Sequence, residues 1–202
     1  VDIQKQRQLF DRQADKYEVR ATKQGPDHKW RKHLLASAKG NVLEVSVGAG
    51  TNFPYYPKDA AITAVDFSPA MLDKAKERAH AEQRQVEFML GNVEALELPE
   101  HSFDTVVSTL SICAYPNPDE VLRRLAKWCR KDGQILLLEH GLSSNRFLAA
   151  LQNVFDPLVK RRVGCHMNRD FMGLVDDAPL VVQRQEDAVF GAVHLIWAEP
   201  KR

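Results

Sequence analysis

The chain has 202 residues, 44% of them hydrophobic, enough for a single domain with a full core. Its 28 basic and 27 acidic residues leave a formal net charge of +1, so no overall field draws it to nucleic acid. Three widely spaced cysteines, Cys113, Cys129 and Cys165, argue for reduced thiols in a cytoplasmic setting rather than a disulfide frame or a zinc site. No apolar run reaches the roughly 18 residues a membrane span needs, and no signal-peptide core opens the chain, so the expectation is a soluble or peripheral protein.

Val1 to Arg20 is polar, with Ile3, Leu9, Phe10, Ala14 and Tyr17 at helical intervals, and predicts one amphipathic helix over the main body. Gly25-Pro26-Asp27 interrupts it, and His28 to Lys39 predicts a helix ended by Gly40. The stretch Asn41 to Asn52, N-V-L-E-V-S-V-G-A-G-T-N, then reads as a buried parallel strand opening into a ligand-binding turn. Without a β-carbon, Gly48 and Gly50 let the backbone take positive φ and come close to a nucleotide-like ligand. The nicotinamide fingerprint G-x-G-x-x-G fails, because its third glycine would fall on Phe53.

The proline-rich run Asn52 to Pro57 allows one short turn. Ala61 to Asp66 is a second strand ending in an acid, about 20 residues past the glycine turn, where a carboxylate accepts both hydroxyls of a ribose. Ser68-Pro69 caps a helix from Ala70 to about Gln83, and Val86 to Leu90 is a third strand, followed by Gly91-Asn92-Val93-Glu94. Leu96 to Ser108 leads into a fourth strand that continues through Ile112. A helix from Glu120 to Arg130 follows, with Val121, Leu122, Leu125 and Trp128 on one side, and Lys131-Asp132-Gly133 turns the chain into strand five, Gln134 to Glu139. Asn145 to Val163 places Phe147, Leu148, Leu151, Val154, Phe155, Leu158 and Val159 on one stripe and ends in Lys160-Arg161-Arg162. Such a helix either packs in the core or lies on a membrane surface with its basic end near anionic head groups. Gly164 to Asp170 opens another helix, and Pro179 to Asp187 with Phe190 to Ala198 forms a closing antiparallel hairpin. The implied α/β sheet has seven strands, six parallel and one reversed.

Four pieces in order, the turn after Glu44, the acid Asp66, the segment L-E-L-P-E-H-S-F-D-T-V and the Lys131-Asp132-Gly133 turn, resemble the class I S-adenosylmethionine (SAM) methyltransferases of the ubiquinone/menaquinone type. That family has a Rossmann-like, mostly parallel sheet. Ser46 stands where its turn usually has a first glycine, and Asn92 where it usually has an acid. F-D-R-Q-A-D-K-Y-E, Phe10 to Glu18, resembles the family's lid. Glu139-His140, Asp156-Pro157 and G-C-H-x-x-R-D (Gly164 to Asp170) are most similar to the small membrane-associated alkyl-thiol methyltransferases, with bacterial phospholipid N-methyltransferases next. The resemblance implies that SAM, leaving as S-adenosylhomocysteine, is held by Glu44, Ser46, Gly48, Gly50, Asn52, Asp66, Phe67, Met71, Asn92, Val93 and Thr109. It divides a single domain into a helical cap (1–39), a SAM core (40–140) and an acceptor side (141–202).

Methyl transfer is a direct displacement, so alignment and desolvation supply most of the acceleration and no enzyme nucleophile is required. A thiol acceptor needs a base, for which His140 and His166 are the candidates, with Asp170 placed at i,i+4 to orient His166. The seven histidines show no H-x-x-x-H or H-E-x-x-H spacing, which leaves a metal without support. No N-P-P-Y or D-P-P-Y segment follows strand four, which disfavours a flipped base. The expected partner is a small or lipid-like acceptor: a thiol first, a phospholipid amine or quinone-type ring carbon as alternatives. Membrane contact is expected through 145–163 or the N-terminal helix. A non-catalytic SAM-binding module is the competing class.

Overall fold

The computed structural model describes residues 3–23 and 25–201. Strands β1 (Asn41–Val45), β2 (Ala61–Asp66), β3 (Val86–Leu90), β4 (Phe103–Thr109), β5 (Cys129–His140), β6 (Leu180–Ala188) and β7 (Val193–Pro200) form one sheet in the order β3-β2-β1-β4-β5-β7-β6. Neighbours β3, β2, β1, β4 and β5 pair in parallel, and β7 runs antiparallel between β5 and β6, as the seven-strand pattern predicts.

Period-two alternation gives the sheet two buried faces. Leu43, Val106, Ile135 and Leu137 point to one face, where they pack on α5 (Pro118–Trp128) and α7 (Phe171–Asp177). Val42, Val107, Leu136 and Leu138 point to the other, against α3 (His28–Leu35) and α4 (Pro69–Ala81). The carboxyl ends of β1, β2 and β4 thereby converge on one edge of the molecule, where the loops build a cavity.

Several boundaries differ from expectation, each because a tertiary contact overrides a local preference. The single N-terminal helix, whose first residues Val1 and Asp2 lie outside the described residues, is two helices, α1 (Ile3–Asp11) and α2 (Ala14–Thr22). Gln13 N bonds Phe10 O at 2.9 Å and closes α1, and Ala14 is buried at the bend. α3 stops at Leu35 rather than Lys39, since Lys39 N donates to Thr105 Oγ1 (3.0 Å) and draws the chain into the sheet. α5 stops at Trp128, where buried Cys129 pairs with Phe103; Lys131-Asp132-Gly133 lies in an irregularity of β5. β4 stops at Thr109 because the Glu139 carboxylate accepts from the amides of Ser111 (2.9 Å) and Ile112 (3.2 Å) and turns the chain off the sheet.

Helix α6 (Arg146–Val163) does not pack as the core helix that the 145–163 stripe allows. Asn145 caps it by accepting from Phe147 N and Leu148 N, yet only Asp156 among its residues is buried. Phe147 is 72% exposed, Val154 71% and Phe155 51%. The side turned to the body is held by polar groups instead. Gln152 accepts from Ser143 N and donates to the carbonyls of Gly141 and Met167, while Asp156 accepts from Met167 N at 2.7 Å. Among the described residues no helix is long and apolar enough to cross a membrane.

Candidate active site

β1 delivers Ser46 to Asn52 into a turn with three left-handed residues: Ser46 at φ +51°, Gly48 at +56° and Gly50 at +74°. Ser46 stays there at a cost of about 1–2 kcal/mol, because its Cβ crowds the backbone where a glycine has none. Its Oγ meets Tyr115 Oη at 2.5 Å. The two glycines have different reasons. A Cβ on Gly48 would meet only Tyr17 at 3.9 Å, which leaves its backbone open to the cavity; one on Gly50 would stand 2.6 Å from the Phe53 ring. Gly50 is a packing requirement.

Asp66, at the end of β2, accepts from Gly48 N (2.8 Å) and Ser68 N (2.9 Å). Burial pushes its carboxyl up to about 6 against these bonds. Under the turn lies a buried network that motif reading does not expose. Glu44 accepts from Asn52 Nδ2 (2.9 Å) and Tyr56 Oη (2.8 Å), and burial raises it to about 7. Arg31 donates to Asn52 Oδ1 (2.7 Å), Thr109 Oγ1 (2.9 Å) and Asp27 Oδ2 (2.6 Å). Arg31 and Asp27 went unmarked because an arginine in H-K-W-R-K-H looks like a solvated cation until the fold buries it.

A cavity of about 400 Å³ opens over this floor. Of the expected cofactor residues, Ser46, Gly48, Asp66, Phe67, Met71, Asn92, Val93 and Thr109 line it, whereas Glu44, Gly50 and Asn52 support it from behind. The Asn92 side-chain oxygen already accepts from Glu94 N (3.1 Å). Ile3, Gln6 and Phe10 of α1 and Tyr17 and Arg20 of α2 contribute from the N-terminal helices, and the remaining wall includes His140, Val163, Val193, Cys113 and Cys165.

The three proposed catalytic residues are separated. His140 reaches the cavity from the end of β5, and burial lowers its imidazole below the ordinary value, so it is neutral at pH 7. His166 lines a neighbouring groove with Lys160, Arg161 and Arg169. The expected His166–Asp170 pair is absent: residues 164–170 are a loop, His166 Nδ1 pairs with Asp156 Oδ2 at 3.0 Å, and Asp170 caps α7 by accepting from Gly173 N. The expectation of reduced thiols also fails for two cysteines, since Cys113 and Cys165 are joined as a disulfide. Cys129 is free and buried, its thiol pushed up to about 12 by burial. Among the described residues the one cluster with metal-ligand spacing is Cys113, His140 and Cys165, two of which are bonded to each other.

The donor set fits SAM. Each Asp66 oxygen accepts one backbone amide and keeps further lone-pair capacity for a ribose diol, and the bare backbone at Gly48 leaves room beside it. A seven-stranded sheet with its penultimate strand reversed in space, and this cradle at its carboxyl edge, define the class I SAM methyltransferase fold. Residues 43–137 match the family described as a methyltransferase domain. The chain is 34% identical over 131 residues to a phosphatidylethanolamine N-methyltransferase of Cereibacter sphaeroides, covering 64% of each. It is 31% identical over 174 residues to a thiol S-methyltransferase of Mus musculus, covering 82% of this chain and 67% of that one. An O-methyltransferase family protein from Burkholderia thailandensis has the same fold, with a TM-score of 0.74 at 18% identity over 93% of this chain and 59% of that one. The chain belongs to the SAM-dependent methyltransferases with the class I fold. It spans about two thirds or less of the length of the first curated relatives it matches.

Proposed function

We propose that the protein methylates a small or lipid-like acceptor, with thiol sulfur as the first choice. The observation that carries this reading is the cavity wall at the end of β5, three strands from the β2 end that bears Asp66, where His140 lies opposite Val193 and 3.0 Å from Cys165 Sγ. When bound, SAM supplies an electrophilic methyl on a sulfonium centre. Asp66 and the Gly48 backbone hold the nucleoside, Phe10 and Ile3 exclude water from above, and neutral His140 takes the acceptor's proton at Nε2. A nucleophilic side chain has no part in such a displacement.

The outward face of α6 favours a second reading, a lipid amine, and supports peripheral membrane contact. The exposed Phe147, Val154, Phe155 and Leu158 run toward Lys160, Arg161 and Arg162, an arrangement suited to an anionic interface. The exposed hairpin tip Val189-Phe190 extends the patch, because Ser143 Oγ and Ser144 Oγ, just before α6, both donate to Phe190 O. α1, the alternative anchor, instead turns Ile3 and Phe10 into the cavity. Neutralising Lys160, Arg161 and Arg162 together is expected to weaken co-sedimentation with anionic vesicles by about 10²-fold, at about 1 kcal/mol per charge. A parent protein that stays in the supernatant when the vesicles sediment ends the membrane reading.

The function is tested by calorimetric titration with SAM and S-adenosylhomocysteine, then methyl transfer to an alkyl thiol and to ethanolamine-lipid vesicles. A thiol enzyme yields thioether at a rate that falls in acid as its base, His140, is protonated. A lipid enzyme yields mono-, di- and trimethylated amines. Tight nucleotide binding with no product on a broad panel favours a non-catalytic module, and no nucleotide binding by folded protein overturns the whole reading.

A further inference from the structure

Cys113 lies in the single turn after β4, and Cys165 in the loop between α6 and α7, 52 residues on. Their bond, with Cα atoms 5.2 Å apart, forms part of the cavity wall. The methyl transfer proposed above makes no use of it. Helix α1 rests on both of the joined segments. Gln6 Nε2 donates to Ala114 O (2.6 Å), beside Cys113. On the other side, a Cβ at Gly164, the neighbour of Cys165, would stand 3.1 Å from Leu9 and 3.3 Å from Phe10, so α1 packs directly on that loop. The bond therefore ties together the two halves of the seat under the cavity's roof.

We propose that Cys113–Cys165 is a reversible thiol–disulfide modification site whose state sets how firmly α1 is seated, and hence how fast the nucleotide product leaves the cavity. The inference rests on the methyltransferase reading only for the identity of that product. A dithiol reductant is the co-reactant. Its first thiolate attacks Cys165, the less buried sulfur, forming a mixed disulfide while Cys113 leaves and takes a proton. Its second thiol then closes the reductant's own disulfide and expels the Cys165 thiolate, which leaves beside His140 Nε2, 3.0 Å away. Two thiols and one oxidised dithiol balance the exchange, and a small-molecule disulfide reverses it.

Reversibility has a structural basis in bonds that survive reduction. His166 N and Arg169 Nε both donate to Cys113 O at 3.1 Å and keep the two segments adjacent, so that the sulfurs remain in reach of each other. What reduction removes is the covalent tie between the two seat segments; α1 then keeps the Gln6 hydrogen bond, the Gly164 contact and its hold on the start of α4, where Ser68 Oγ donates to Asp11 Oδ1 and Phe10 packs edge-on against Phe67. Were the protein cytoplasmic, a disulfide there would belong to the redox-sensing or catalytic kind rather than the structural kind.

The test compares protein equilibrated with a dithiol reductant against protein equilibrated with a small-molecule disulfide. Non-reducing peptide mapping reads the bond, and stopped-flow displacement reads release of S-adenosylhomocysteine. The expected result is a linked Cys113–Cys165 peptide only in the oxidised sample, with release about threefold or more faster after reduction, as for an enzyme limited by lid opening. Cys113→Ser and Cys165→Ser should each release at the fast rate in both buffers, whereas Cys129→Ser should respond like the parent. Limited proteolysis within α1, faster in the reduced sample, reports the seat independently of nucleotide, so a protein that fails to bind S-adenosylhomocysteine overturns the methyltransferase reading and still tests this one. Absence of the linked peptide, equal α1 cleavage and release in both states, or a zinc ion held by the reduced trio Cys113, His140 and Cys165 that blocks reoxidation would each overturn the proposal.

Discussion

Replacing His140 with glutamine is expected to lower turnover on an alkyl thiol by roughly 10²–10⁴-fold, the usual worth of a placed general base. SAM affinity should stay near that of the parent, since His140 ends β5, three strands from the β2 end that carries Asp66. The sign of the pH dependence follows from burial, which lowers the imidazole's pKa. The base is competent throughout the neutral range and is lost only as pH falls through that lowered value. In the variant this acid limb should vanish, and activity should recover at alkaline pH, where the acceptor thiol ionises unaided. His166→Gln is the contrast: its imidazole is paired with Asp156 and lines the neighbouring groove, so turnover should change little. Equal losses in the two variants, or a His140→Gln enzyme with parental kcat, would exclude His140 as the base.

Asp66→Ala is expected to weaken SAM binding by roughly 1.5–3 kcal/mol, the scale of hydrogen bonds to a charged group. The substitution removes the carboxylate that accepts from Gly48 N and Ser68 N, so the turn loses its anchor together with the proposed ribose acceptor. Asp66→Asn should fall between, keeping the shape and one acceptor oxygen. Because burial raises Asp66 to about 6, the ligand-free protein holds a proton there below that pH, while a diol calls for the charged acceptor. SAM affinity should therefore drop as pH falls through about 6, and binding near that pH should release a proton, measurable by calorimetry in buffers of different ionisation enthalpy. For stability the sign is opposite to that of a surface carboxylate. A folded-state pKa raised above the unfolded one gives a contribution that is complete below the unfolded value and is lost as pH rises through the folded value. Asp66 at about 6, with Glu44 and Glu139 at about 7, places that loss between the ordinary carboxylate range and neutrality. Unchanged affinity in a folded Asp66→Ala protein would mean that the ribose is held elsewhere.

The strands and the cradle were legible because their causes are local. Ala61 to Asp66 and Val86 to Leu90 agree with β2 and β3 residue for residue, since a short β-rich run bounded by turns leaves few alternatives for either strand. Ser68-Pro69 marked the start of α4 because a side chain that accepts from Met71 N and a ring already set to helical φ act within one turn. Gly48 and Asp66 were readable for the same kind of reason, one through backbone freedom and the other through its place at a strand end.

Contacts between distant segments decided the rest. Nothing around Arg31 signals that Asn52 and Thr109 will close over it, 21 and 78 residues away. The spacing of His166 and Asp170 suits a helix, but the partner came from α6 because Asp156 was available to a loop. Cys113 and Cys165 became neighbours only when the loop after α6 folded back over the end of β4. The stripe on α6 shows the limit most plainly: periodicity reports that a helix has an apolar side, whereas Gln152 and Asp156, by satisfying backbone groups of the body, decide that this side faces outward. The sequence by itself determined a class I sheet with a glycine turn and an acid at its carboxyl edge, because glycine conformation and strand burial are properties of short segments. Only the tertiary structure decided which histidine meets the cavity, which cysteines join and which way the last long helix turns, because each depends on partners that chain closure alone brings within reach.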